Sequence, residues 1–213
     1  MKQALIFFNG NLSDTSFLHQ YLAEQPLIIC ADGGAEYARR LDLLPDIVIG
    51  DFDSISDIDK EFLENKNVTF IPYPKEKDFT DAELAVQYAL DQGIKTIHIA
   101  GLLGDRIDHM MANVFFLADM SRTNDISIIE KDQVIRFVET RIDISGKKGD
   151  EISLIPIRED CHGVHTEGLY YPLTNASLSF GSTRGISNVM LSQKAKVEIS
   201  KGLLLVIHRS LHP

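Results

Sequence analysis

Apolar positions fall into two textures along the chain. Up to about residue 120, short runs that are apolar at nearly every position, "ALIFF", "LIICA", "DIVIG", "VTFIPY" and "TIHIAG", alternate with longer stretches. Those stretches, "SDTSFLHQYLAEQ", "GAEYARRLDLL", "DAELAVQYALDQG" and "RIDHMMANVFFLADM", carry helical periodicity. Runs without polar alternation predict strands buried on both faces, and the helices between them predict a parallel sheet covered on each side. From Thr123 onward the segments are short and β-like, "ISIIE", "VIRFV", "EISLIPI", "LSFG", "KVEIS" and "LLLVIH", broken by "SGKKGD", "PLTN" and "FGSTRG". Helical periodicity fades there, which predicts a small β-sandwich or barrel and a boundary near residues 120 to 125. The expected fold is therefore an α/β domain over 1–122 followed by an all-β sandwich domain over 123–213.

A parallel sheet of this kind binds ligands beyond the carboxyl ends of its strands. Polar clusters stand at those places: "NGN" after the first run, "DGG" after the second, "GDFDS" after the third and "GLLGDR" after the fifth.

Composition narrows the partners. The 213 residues carry a formal charge of −10, and the charge is uneven: residues 1–122 hold 10 basic and 20 acidic side chains, residues 123–213 hold 11 of each. With no basic stripe, nucleic acid is not an expected partner, whereas clustered acids suit a hydrated divalent cation. No run approaches the roughly 18 apolar residues of a membrane span, and "MKQALIFFNG" turns polar too early for a signal peptide, so no membrane partner and a cytoplasmic location are expected. Cys30 and Cys161 form no CxxC pair and are expected as buried free thiols.

The chemistry centres on carboxylates. In "GDFDS", Asp51 and Asp53 sit at i and i+2, which brings their Cα atoms roughly 6–7 Å apart on one side of an extended or turning segment. Such convergence suits Mg²⁺, which takes few carboxylates and accepts phosphate oxygens elsewhere. A helix start explains the same residues, with Asp53 or Ser54 capping "ISDIDKEFLE". In "KEKDFTDAELA", Thr80 with Glu83 has capping-box spacing and Phe79 with Leu84 staple spacing, leaving Asp78 and Asp81 at the same rim. "ADGG" and "GLLGDRIDH" turn from strand into helix: Gly33 and Gly34 let a helix begin close to a ligand, Arg106 offers a planar fork to phosphate, and Asp32 and Asp108 add acids. No GxxxxGK[ST] or GxGxxG occurs. "CHGVHTEG" fits no common zinc spacing, His98 reads as a packed core histidine, and no nucleophile elbow is present.

In series, "ADGGAEYA", "PDIVIGDFDSI", "KDFTDAELA", "GLLGDRIDHMMANV", "TEGLYYPL" and "GISN" resemble the thiamine pyrophosphokinase family over nearly the whole chain. The resemblance implies an N-terminal catalytic domain, a C-terminal thiamine-binding domain, and a homodimer with active sites at the subunit interface. It implies transfer of pyrophosphate from ATP to thiamine, giving thiamine diphosphate and AMP, with Mg²⁺. By matching motif it implies Asp51, Asp53 and Asp81 as Mg²⁺ ligands and Asp32, Gly33, Gly34, Arg106 and Asp108 around ATP. Asp78 and Asp81 fall beside the substrate, as candidates for the base, and Ser187 and Asn188 fall where thiamine is held. Some members stack Trp on thiamine; this chain has none, so Phe180, Tyr170, Tyr171, Met190 or Leu191 is expected to take that contact. Competing readings are a pyrophosphokinase for another alcohol such as a hydroxymethylpterin, a metal-dependent nucleotide-sugar transferase, and a nucleotide-binding module without turnover.

Overall fold

The structure, a computed structural model, describes residues 3–12 and 14–211, which divide into two compact units, Met1–Lys131 and Asp132–Pro213. The first unit holds six parallel strands: β1 Gln3–Phe7, β2 Leu27–Ala31, β3 Ile47–Gly50, β4 Thr69–Pro72, β5 Thr96–Ala100 and β6 Asp125–Ile129. Their order is β6-β5-β1-β2-β3-β4. The apolar runs are buried throughout, as in "ALIF" of β1 and "IVIG" of β3, which explains why they lack alternation. The boundary lies later than the one read from the sequence. The short run "DISII" looks like the β texture that follows it, but as β6 it extends the parallel sheet beside β5, from Thr96↔Asp125 to Ala100↔Ile129.

The chain steps outward from β1 to β4, then crosses back through helix α4 Asp81–Asp91 to place β5 on the other side of β1. The strand order therefore reverses between β1 and β5, and a crevice opens there beyond their carboxyl ends. Helices α1 His19–Leu22, α2 Ala35–Arg40, α3 Asp57–Asn65 and α5 Ile107–Met120 complete the unit. The first two are shorter than their sequence stretches: Gln25 turns left-handed (φ 51°) before Pro26, and Asp42 does the same (φ 52°) after α2.

Two local expectations need correction. Helix α3 is capped neither by Asp53 nor by Ser54 but by Ser56, whose Oγ accepts from Asp59 N at 3.1 Å. Asp59 is 3% exposed; its carboxylate accepts from Ser56 Oγ and pairs with Arg39, which ties α3 to α2. In α4 the cap is as expected, Thr80 Oγ1 accepting from Glu83 N at 3.1 Å, but Phe79 is exposed.

The second unit is a sandwich of antiparallel sheets, β12-β9-β14-β7 and β11-β10-β13-β8. Its strands are β7 Gln133–Val138, β8 Arg141–Ser145, β9 Glu151–Pro156, β10 Cys161–Glu167, β11 Ala176–Leu178, β12 Asn188–Val189, β13 Lys194–Glu198 and β14 Leu204–Arg209. Alternation, clearest in β9, sends Ile152 and Leu154 inward against Val164, Leu178, Val197 and Val206. Cys161 belongs to this core while His162 is exposed and meets Ser177 Oγ at 3.1 Å, the register being shifted by a bulge around Gly163. Both cysteines are free and buried.

Candidate functional site

The crevice beside β1 is closed at its floor by two loops that bond backbone to backbone. Gly10 N donates to Gly101 O at 2.7 Å and Asn11 N to Leu103 O at 2.6 Å. A Cβ on Gly10 would lie 2.4 Å from Gly101 O, so only glycine lets the loops approach this closely. Tyr37 of α2 braces the same turn, its hydroxyl donating to Gly10 O and accepting from Leu12 N. Above them lies a cleft of about 680 Å³ lined by the ends of β1, β2 and β5, the segment after β3 and the starts of α4 and α5.

Three carboxylates meet in it. Asp32 follows β2 with a left-handed backbone (φ 46°), and Asp51 and Asp53 follow β3 with Phe52 left-handed between them (φ 65°). A bulky residue rarely adopts that conformation; here it belongs to the turn in which Asp53 N donates to Asp51 Oδ1 at 3.1 Å. One carboxylate oxygen from each of Asp32, Asp51 and Asp53 lies within 4.8 Å of the others. The group differs from the one expected, Asp51, Asp53 and Asp81, because Asp32 occupies the third corner. Asp81 stands close by: a Cβ on Gly50 would fall 3.0 Å from Asp32 Cβ and 3.2 Å from Asp81 Oδ1, so any side chain at position 50 would wedge between the two acids.

Burial pushes the Asp32 carboxyl above its ordinary pKa, and the charges of Asp81, Asp51 and Asp53 push the same way against a hydrogen bond from Ser54. Asp32 is 7% exposed, and its Oδ1 is buried without a hydrogen-bond partner. At the rim, Lys75 pairs with Asp53 and, with Ser54, lowers the Asp53 pKa, while Asp53 raises that of Lys75. Lys77 Nζ lies 2.9 Å from Asp81 Oδ1; the contact is electrostatic, since that oxygen has no directed hydrogen bond.

The other expected residues are spread more widely. Arg106 lines the cleft, but its Nε and Nη2 donate to Asp108 at 3.0 and 2.7 Å, and both side chains are exposed. Arg106 holds the Asp108 carboxyl well below the usual range. Asp108 itself does not line the cleft, nor does exposed Asp78. Gly33 and Gly34 are buried, and Cβ atoms there would lie 2.4 Å from Asn9 Nδ2 and 2.3 Å from Phe7 O, so these glycines make room for the end of β1 and for Asn9 beyond it. Tyr37, Lys75 and Lys77 also line the cleft and are not among the candidate site residues named above; the period-2 spacing of the two lysines in "PKEKD", beside the acids, is the signal that marks the latter pair.

In the second unit Ser187 is left-handed (φ 56°), with its N–H donating to Ser153 Oγ at 3.0 Å. Asn188 is buried, and its amide makes three hydrogen bonds: Nδ2 donates to Tyr171 O at 2.7 Å, while Oδ1 accepts from Tyr171 N at 3.0 Å and Val189 N at 2.9 Å. It thereby fixes the turn that presents Tyr170 and Tyr171, two exposed rings packed edge to face at 4.8 Å. Phe180 and Leu191 are also exposed; Met190 is fully buried in the sandwich core and withdrawn from any ligand.

Comparison with known proteins matches residues 18–129 to the model "Thiamin pyrophosphokinase, catalytic domain" and residues 139–204 to "Thiamin pyrophosphokinase, vitamin B1 binding domain". The thiamine pyrophosphokinase of Bacillus subtilis is 34% identical over 210 residues, covering 97% of this chain and 98% of that protein. A crystal structure of the enzyme from B. subtilis superposes with a TM-score of 0.89 at 30% identity, covering 98% of this chain and 99% of that one. One from Geobacillus thermodenitrificans does so with a TM-score of 0.86 at 27% identity, covering 100% and 99%.

Proposed function

The chain belongs to the thiamin pyrophosphokinase family, and from that premise we propose that it transfers the pyrophosphoryl group of ATP to the hydroxyl of thiamine, giving thiamine diphosphate and AMP. The observation that carries this reading is the convergence of Asp32, Asp51 and Asp53 beyond the carboxyl ends of β2 and β3, in the cleft that also takes in the ends of β1 and β5 and within the segment matched by the catalytic-domain model.

The donor set fits Mg²⁺: three hard carboxylates, each with an oxygen within 4.8 Å of the others, and one of the three, Asp32, also has a buried oxygen, Oδ1, without a hydrogen-bond partner. Asp32, Asp51 and Asp53 would hold the ion, with Asp81 at the edge of the group. When bound, Mg²⁺ offsets the negative charge of the phosphate oxygens and aligns them.

The protein's own contribution is positioning and electrostatics, as expected where charge spreads over phosphoryl oxygens. The loops of Gly10 and Gly101 form a rigid floor for the nucleotide. Arg106, exposed at the rim, exchanges its Asp108 partner for phosphate with little desolvation cost. Asp81 is better placed than Asp78 to accept the thiamine hydroxyl proton, because Asp81 lines the cleft and Asp78 does not. Thiamine is read by the second unit, where the Asn188-held Tyr170–Tyr171 turn offers aromatic surface in place of Trp.

The reading extends to a cytoplasmic homodimer. Two buried free thiols support a reducing compartment, and no helix among the described residues is long and apolar enough to cross a membrane. Ile107, Met111 and Phe115 form an exposed apolar stripe on α5, which supports self-association. Incubation with Mg²⁺, ATP and thiamine, followed by product identification, tests the reaction: AMP with thiamine diphosphate is expected, and ADP or thiamine-independent turnover refutes it. Gel filtration of the same preparation at twice 23.9 kDa is expected for the dimer, and elution at the monomer mass refutes it.

A further inference from the structure

Three Lys or Arg side chains line the cleft, and they differ in one physical respect. Lys75 and Arg106 are 76% and 70% exposed and each is paired with an exposed carboxylate, Asp53 and Asp108. Lys77 is 12% exposed. A cation in water is screened and hydrated, so it gains little on meeting a phosphate; a cation already withdrawn from water acts through a lower effective dielectric and needs no reorganisation. Lys77 is also held in place. It sits four residues before Asp81 with Nζ 2.9 Å from Asp81 Oδ1, its sole ion pair among the described residues. The contact is not a directed hydrogen bond, so the ammonium's three N–H donors are not spent on that carboxylate oxygen.

We propose that Lys77 is a catalytic residue of the transfer: its ammonium, carried on a side chain only 12% exposed, donates to the phosphoryl group that moves, leaving Arg106 and Lys75 to gather the nucleotide at the rim. The assignment rests on the reading of the cleft as the ATP site and goes beyond it by naming the cation that meets the developing charge. In the free protein the ammonium offsets part of the charge of the crowded acids. With nucleotide bound it lies between Asp81 and the phosphate and bonds to both. No atom is transferred to or from Lys77; its role is charge stabilisation at the β-phosphoryl oxygens while the thiamine hydroxyl oxygen bonds to the β-phosphorus and the bond from that phosphorus to the α,β-bridging oxygen breaks, the oxygen leaving with AMP.

The test compares wild type, Lys77→Gln and Lys77→Arg in three measurements. The first is kcat for AMP release with thiamine. The second is calorimetric affinity for Mg²⁺ with the α,β-methylene analogue of ATP, in which the bond that breaks is blocked. The third is affinity for Mn²⁺ alone. Lys77→Gln is expected to lower kcat by about 100-fold or more, the scale seen when one preorganised donor is removed. It should weaken the analogue at least tenfold yet bind Mn²⁺ as tightly as wild type or more tightly, since a positive charge beside the acids has gone. Lys77→Arg is expected to retain a tenth or more of wild-type kcat. Analogue affinity within twofold of wild type in Lys77→Gln overturns the proposal, as does a loss in Lys77→Arg as large as in Lys77→Gln. A merely structural partner of Asp81 would lower the melting temperature of Lys77→Gln and leave kcat per folded molecule unchanged, which also overturns it. Absence of thiamine-dependent AMP from wild type would refute the reaction itself, while the analogue comparison would still decide Lys77.

Discussion

Asp32 in the first unit and Asp150 in the second are both withdrawn from water, at 7% and 1% exposure, and one oxygen of each lacks a hydrogen-bond partner. Their remaining surroundings are opposite. Around Asp32 stand three more aspartates, and burial together with those charges pushes its carboxyl up. Around Asp150, burial pushes the same way, but the Lys147 N–H at 2.8 Å and His208 Nε2 at 2.9 Å both meet Oδ2 and bring the net pKa below normal. Depth alone therefore does not separate a binding group from a scaffold group; the partner set does. The first unit keeps a deficit of positive charge at a rim where a ligand can enter. The second encloses its acid: the Lys147–Asp150 turn also holds strand β12 through Met190 N to Asp150 O at 2.8 Å.

The contrast can be broken most forcefully at the cleft. Asp51→Asn and Asp53→Asn are each expected to lower thiamine-dependent turnover by about a thousandfold or more, the scale of lost metal-borne charge stabilisation. Their melting temperatures in EDTA should stay level or rise, because repulsion is relieved. A drop of more than a few degrees in both would make these acids scaffold, like Asp150. The next largest effect lies in the second unit: Asp150→Asn is expected to cost about 3 kcal/mol of unfolding free energy, as when one partner of a buried pair is removed, read by denaturant titration. Turnover per folded molecule should change little. An unaltered unfolding midpoint would show that the His208 contact carries no stability.

The smallest effect sharpens the comparison by its sign. For Asp32, whose folded pKa is raised, the penalty is absent below the ordinary value of 3.8 and grows as pH rises from there toward the raised folded value. Asp32→Asn should thus melt higher than wild type at pH 7 in EDTA, by about 2–4 °C for each kcal/mol relieved, and the gap should close as pH falls. Asp150, whose folded pKa is lowered, stabilises above 3.8 and loses that contribution as pH falls through its lower folded value. The deficit of Asp150→Asn should therefore shrink on acidification. A gap between Asp32→Asn and wild type that widens toward low pH would reverse the assignment of Asp32.

Much of this was readable in order along the chain. "LIICA", "DIVI" and "TIHIA" are apolar at nearly every position because their strands are covered on both faces, and the acids that follow them had to surface at the carboxyl rim. "EISLIP" alternates because one face of its sheet meets the core and the other does not. The misreadings have particular causes. "DISII" has the length and texture of its β neighbours, and only pairing with β5 assigns it to the first unit. Asp53, Ser54 and Ser56 are equally good caps by type; the left-handed Phe52 puts the turn before Ser54 and leaves Ser56 to accept from Asp59. Met190 is as apolar as Leu191, yet strand direction buries one and exposes the other.

By itself the sequence determined the class of fold and the edge at which chemistry is concentrated, since hydrophobic period and the succession of strands and helices follow from local pattern. Tertiary structure decided which oxygens meet, that Asp32 joins Asp51 and Asp53 ahead of Asp81, that Asn188 is engaged with Tyr171, and that Lys77 is less exposed than Lys75 and Arg106. Those outcomes depend on distances between segments far apart in the chain and on how much water each group loses, and neither quantity is carried by the order of residues within any one element.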